Sequence, residues 1–113
     1  MITVELVYDR NCPNADRARA NLLQALAAAA QGVSWIEWER DAPGSPARVK
    51  GYGSPTVLVD GKDVAGSEDG EGGPRCRLYR NATNNFDGSP SVEKIAAALT
   101  ARDRALVEMA GSR

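Results

Sequence analysis

One pattern constrains the fold of this chain more than any other: a strand, then a long Ala- and Leu-rich helix, then a second strand within the first forty residues. Ile2, Val4, Leu6 and Tyr8 alternate with Thr3, Glu5 and Val7, a β-branched-rich run that predicts a strand. Val7 interrupts the polar face, so both sides of this strand are expected to be covered. Asp9-Arg10-Asn11 are turn formers. Pro13 suits the first position of a helix, where its fixed φ is favourable and its missing N–H is not needed. From there Asn14 to Gln31 reads as helix, with Ala15, Ala18, Leu22, Ala25, Leu26 and Ala29 on one stripe and Gly32 as its C-terminal cap. Val33 to Glu39, carrying Trp35, Ile36 and Trp38, is the second strand. Together these make a βαβ unit, which calls for parallel strands and a right-handed crossover.

Downstream, Asp41 to Ser45 reads as a loop and Pro46 to Lys50 as one or two helical turns. Gly51-Tyr52-Gly53-Ser54 leads through Pro55 into a strand at Thr56-Val57-Leu58-Val59. Asp60-Gly61 is a two-residue hairpin signal that pairs this strand with Lys62–Ala65. Residues 66–74, acidic and Gly-rich, read as a mobile surface loop. Cys76 to Arg80 predicts a short extra strand, and Asn81 to Gly88 a loop. Ser89-Pro90 has the form of an N-cap and first helical residue, opening a helix from Ser91 to Arg104 with Val92, Ile95, Leu99 and Leu106 on one face. The expected architecture is a single α/β domain over residues 1–113, in the order β-α-β-(α)-β-β-α. A small mixed sheet would be flanked by helices on both faces.

Composition narrows the function. The 113 residues carry 14 Lys plus Arg against 15 Asp plus Glu and no His, so imidazole bases and His-ligated metals are excluded. A net charge of -1 offers no basic field for nucleic acid. Trp35 and Trp38, beside Glu37 and Glu39, read as core and sheet edge rather than as a base-stacking platform. The acidic residues Glu68, Asp69 and Glu71 lack the alternating spacing of a calcium loop. Met1 is followed at once by Ile2-Thr3-Val4-Glu5, and the longest purely apolar run is Ala25 to Ala30. No membrane association is therefore expected, and a cytoplasmic, reducing environment is the expectation.

The two cysteines, Cys12 and Cys76, are the remaining source of chemistry. Cys12 falls between a strand and a helix start, where the unpaired first-turn N–H groups and the helix dipole favour a thiolate. Arg10 and Arg17 would add positive potential. The alternative is a small buried hydrophobe. Pro55 follows Ser54 where the inferred topology brings it near that helix start. A cis Ser54–Pro55 bond there would turn the chain and present backbone groups to an extended ligand; an ordinary trans proline is the alternative.

This combination resembles the thioredoxin-like superfamily: a strand, Cys12-Pro13-Asn14-Ala15, a long helix, a strand, Gly53-Ser54-Pro55-Thr56, an Asp60-Gly61 hairpin and a closing helix. More narrowly, it is similar to small bacterial thioredoxin-family proteins with Cys-Pro-Asn after the first strand, Gly-Ser-Pro-Thr-Val-Leu-Val-Asp-Gly later, and a downstream Cys-Arg-Leu-Tyr. Here these stand at Cys12–Asn14, Gly53–Gly61 and Cys76–Tyr79. The resemblance implies that Cys12 is the attacking thiol and Pro55 a cis-proline facing it, with Pro13, Ser54 and Thr56 in the substrate-binding surface. Two departures matter. Ala15 stands where a dithiol enzyme has its second cysteine, and Leu6 where thioredoxins keep a buried carboxylate. Cys-x-x-Cys cycling is thus excluded. Cys76, flanked by Arg75 and Arg77, is a possible resolving thiol; an inward-pointing structural cysteine is its alternative.

The expected function is thiol–disulfide exchange through Cys12, with no cofactor and with a disulfide-containing protein or small-molecule thiol as partner. Two rivals remain. Cys12 and Cys76 could together bind a soft metal such as mercury or monovalent copper, and proteins of similar appearance are sometimes associated with mercury resistance. Alternatively, the fold serves as an interaction module without redox chemistry.

Overall fold

The computed structural model describes residues 2–29, 34–65, 79–80 and 86–111, and the side chains of residues 2–29, 34–65 and 88–101. Strand β1 (Val4–Tyr8) runs into helix α1 (Ala15–Ala28), which returns to strand β2 (Ile36–Glu39). A 3-10 helix at Ala47–Gly51 precedes strand β3 (Thr56–Val59) and the short strand β4 (Lys62–Asp63). Strands β5 (Tyr79–Arg80) and β6 (Phe86–Asp87) form a separate antiparallel pair before helix α2 (Val92–Gly111). The main sheet is mixed and four-stranded, in the order β2-β1-β3-β4.

β1 is the central strand. It pairs parallel with β2, Leu6 opposite Glu37, as the βαβ pattern predicts, and antiparallel with β3, Leu6 opposite Val57. The β3–β4 hairpin turns at Asp60 and Gly61, both left-handed with φ of 50° and 82°. That is the conformation a two-residue turn of the Asp-Gly type demands. The Asp60 carboxylate accepts the Thr3 N–H at 2.9 Å, and its own N–H bonds Thr3 O, so the hairpin tip is tied to the start of β1.

Side-chain alternation divides the core. Val4 and Leu6 of β1 and Val57 and Val59 of β3 point to one face, where they meet Ala18, Leu22, Ala25 and Leu26 of α1 and Ile95 and Leu99 of α2. Val7 and Leu58 point to the other face and meet Val49 of the 3-10 helix, with Trp38 and Tyr52 packed against them. Both α-helices therefore lie on the same face, and the helical turns expected at Pro46–Lys50 supply the cover on the other. The opposite face is roofed by the short 3-10 helix, whose one buried side chain is Val49. This still leaves β1 covered on both sides, and explains why its alternation breaks at Val7.

Several boundaries differ from the sequence expectation. Asn14 is the N-cap of α1, so Pro13 lies before the cap rather than in the first helical position. α1 ends at Ala28; Gly32 and Val33 lie outside the described residues. Ser89 does not cap α2. The Ser91 hydroxyl does, accepting the Lys94 N–H at 3.1 Å. Ser89 and Pro90 are buried instead, where the Asn21 side-chain amide donates to Ser89 Oγ at 3.1 Å and to Pro90 O at 2.9 Å. Tertiary anchoring to α1 thus moved the helix start onward. Tyr79–Arg80 falls within the short strand expected over Cys76–Arg80, and its partner Phe86–Asp87 was expected as loop. The acidic stretch at 66–74 and the side chain of Leu106 lie outside the described residues.

Candidate functional site

The site is built on the loop that leaves the carboxyl end of β1. Asp9 to Cys12 form a β-turn closed by the Cys12 N–H donating to Asp9 O at 3.1 Å. Asn11, its third residue, is left-handed with φ of 65°, a conformation asparagine tolerates better than most residues. The Cys12 carbonyl in turn accepts the Ala15 N–H at 3.3 Å. One first-turn amide of α1 is therefore satisfied by the main chain of Cys12, and the thiol stands two residues ahead of the N-cap, further from the helix than expected. Cys12 is a free thiol and is half-buried, between exposed Asn11 and Pro13. It is not sealed in the core, as a purely space-filling cysteine would be.

The Ser54–Pro55 bond is cis. The β1–β3 register, Val7 opposite Thr56, carries this segment directly alongside the start of the Cys12 turn. A hydrogen bond of 2.8 Å from the Asp9 N–H to Ser54 Oγ joins the two. Ser54, Pro55 and Thr56 are all buried, and Thr56 Oγ1 donates to Gly53 O at 2.8 Å. The hydroxyls of Ser54 and Thr56 thus brace the turn from within.

Sequence reasoning missed the charged pair behind this loop. Arg40, only 3% exposed, lies just past β2; its Nε donates to Asp9 Oδ1 at 2.6 Å and its guanidinium to Tyr52 O at 3.2 Å. Its main-chain N–H continues the sheet onto Tyr8 O at 2.8 Å. An arginine at the end of an exposed-looking strand carries no local sign of burial. Of the two cations expected to flank Cys12, Arg10 pairs with Glu39 at 3.4 Å and is largely exposed, and Arg17 is exposed.

Leu6 is fully buried, so an aliphatic side chain stands in the helix-side core at that position. The buried carboxylate of β1 is Glu5, on the opposite face, where Arg48 and Trp38 Nε1 donate to it. Burial raises the Glu5 carboxyl, but the Arg48 and Trp38 hydrogen bonds and the Arg48 charge outweigh that and hold it below its ordinary value of 4.5. On the helix side, Arg19 sits over the Tyr8 ring at 5.0 Å and bonds Glu37, which also accepts Trp35 Nε1 at 2.9 Å. Both tryptophans are thus engaged by carboxylates in the sheet.

Ala15 is buried in α1 and supplies no second thiol. Cys76 lies outside the described residues. Among the described residues no three His, Cys, Asp or Glu side chains gather as a metal site. No helix among the described residues is long and apolar enough to cross a membrane. Compared with known proteins, the chain matches no family model, no curated protein and no solved structure.

Proposed function

We propose that this chain is a thioredoxin-like thiol protein that performs thiol–disulfide exchange through Cys12 in the reducing environment of the cytoplasm. The observation that carries this reading is the placement of a part-exposed thiol at the carboxyl end of the central strand, joined through Asp9 to the Ser54–Pro55 segment. In the reaction, the Cys12 thiolate attacks one sulfur of a substrate disulfide and a mixed disulfide forms. The other sulfur leaves as a thiolate. Either a small-molecule thiol attacks the substrate sulfur and expels Cys12 as a thiolate, or Cys76 attacks the Cys12 sulfur, expels the substrate thiolate and leaves a Cys12–Cys76 bridge that two equivalents of external thiol reduce. Because the side chains of Ser54, Pro55 and Thr56 face inward, contact between this segment and a substrate runs through the main chain. Pro13, exposed beside the thiol, forms the outer edge of the same surface.

The test is reduction of a small disulfide by the wild-type chain, C12S and C76S with an external thiol as donor. Loss of activity in C12S with retention in C76S indicates a monothiol cycle. Loss in both assigns Cys76 as the resolving thiol. Activity that survives C12S overturns the proposal. Uptake of one soft-metal ion per chain that either substitution abolishes, without any disulfide reduction, would replace it with metal binding.

A further inference from the structure

Asp9 is the node through which the two halves of the site meet, and each of its polar groups is used. Its N–H goes to Ser54 Oγ, its C=O accepts the Cys12 N–H, and its carboxylate takes Arg40 Nε. Arg40 adds a second fastening, to Tyr52 O, at the entry of the Gly53-Ser54-Pro55 turn. A guanidinium with 4% of its side chain exposed is costly to desolvate, and a well-packed apolar side chain commonly does as well for stability. Its planar fork suits it to hold two acceptors on different segments at once.

From this geometry we infer that Arg40 is a positioning residue for the Cys12 reaction, fixing the Cys12 turn against the Ser54–Pro55 segment through Asp9 and Tyr52. The inference rests on the thiol-exchange reading above. Attack on a disulfide requires a nearly collinear approach of three sulfurs, so it is sensitive to where Cys12 Sγ sits relative to the surface that holds the substrate. Alkylation is an in-line displacement too, but iodoacetamide is small and approaches from solvent without being held on that surface, so its rate depends far less on the arrangement.

Two reactions of the full chain carrying C76S, in which Cys12 is the one thiol, separate these demands. With iodoacetamide, the Cys12 sulfur forms a bond to carbon and iodide leaves. With oxidised glutathione, Cys12 forms a mixed disulfide and one glutathione thiolate leaves, so the thiol is oxidised as the glutathione disulfide is reduced. In folded R40M the glutathione rate is expected to fall on the order of 10- to 100-fold while the alkylation rate stays within about threefold. R40K, whose ammonium can hold Asp9 but lacks the fork to reach Tyr52 O as well, should recover part of the loss. Should R40M fail to fold, R40K decides alone: a lowered ratio of the two rates supports the inference, and a wild-type ratio overturns it. A wild-type ratio in folded R40M overturns it too. A chain with Arg40 intact that is alkylated but inert toward oxidised glutathione sinks the thiol-exchange reading, and this inference with it.

Discussion

Glu5 sits on the central strand with its side chain almost sealed from solvent, while its partner Arg48 is half-exposed. Because the pair and the Trp38 N–H hold the folded carboxyl below 4.5, its contribution to stability is fully present above that value. It is lost as the pH falls through the lowered folded value. Replacing Glu5 by Gln should therefore cost about 1.5–3 kcal/mol at neutral pH, the usual range for a hydrogen bond to a charged group. The difference between wild type and E5Q should shrink steadily below pH 4.5, which denaturant titrations across the acid range would show. A difference that instead widened toward low pH would contradict this account. Residues of this kind were not legible in advance. Glu5 looks like the polar half of an alternating strand, and the 3-10 helix presenting Arg48, together with Trp38 of β2, makes its burial tolerable. The places of Cys12 and Pro55 in the fold were legible because local chain punctuation marks them, Pro after Cys and Ser-Pro before a strand. Arg40 was not, because its partners lie 31 and 12 residues away.

At the scale of elements, the start of α1 is closed in by the residue that follows β6. A Cβ on Gly88 would fall within 2.6 Å of Asn14 Oδ1 and closer still to its Nδ2 and Cγ. The atoms met are the far end of the Asn14 side chain, which can turn aside, so Gly88→Ala is expected to cost only about 0.5–1 kcal/mol. The Asn14 side chain makes no capping hydrogen bond, so N14A by itself should cost little. The N14A/G88A double variant should then recover most of the loss, and a double-mutant cycle in urea reads the coupling. Strands and helices with strong periodicity, β1, α1 and β3, stood in the sequence near their observed places. β5 fell within the strand expected over Cys76–Arg80, but its partner β6 and the shifted α2 cap did not stand there, and the cap depends on distant contacts that no local pattern encodes. The Asn21 bonds to Ser89 and Pro90, across 68 and 69 residues, are the clearest instance.

For the whole molecule, the packing of two helices on one face concentrates stability there. Leu22 of α1 is fully buried, whereas its neighbour Leu23 is 48% exposed. Leu22→Ala should cost about 2–5 kcal/mol and L23A within about 0.5 kcal/mol, measured by urea denaturation of the two variants side by side. A similar cost for both would mean that the helix stripe is not the core. That stripe was readable from the 3.6-residue spacing of α1. That both helices share a side of the sheet was not, because spacing says which residues of a helix are buried and nothing about which face of the sheet receives them.

β1 is hydrogen-bonded along both edges, to β2 and to β3, and it alone delivers the chain to Cys12. Fraying from the rim of a sheet reaches an interior ribbon last. The sulfur therefore hangs from the part of the protein that parts company with its neighbours only in global melting. Warming toward the transition should leave its surroundings intact until the entire domain gives way in one step.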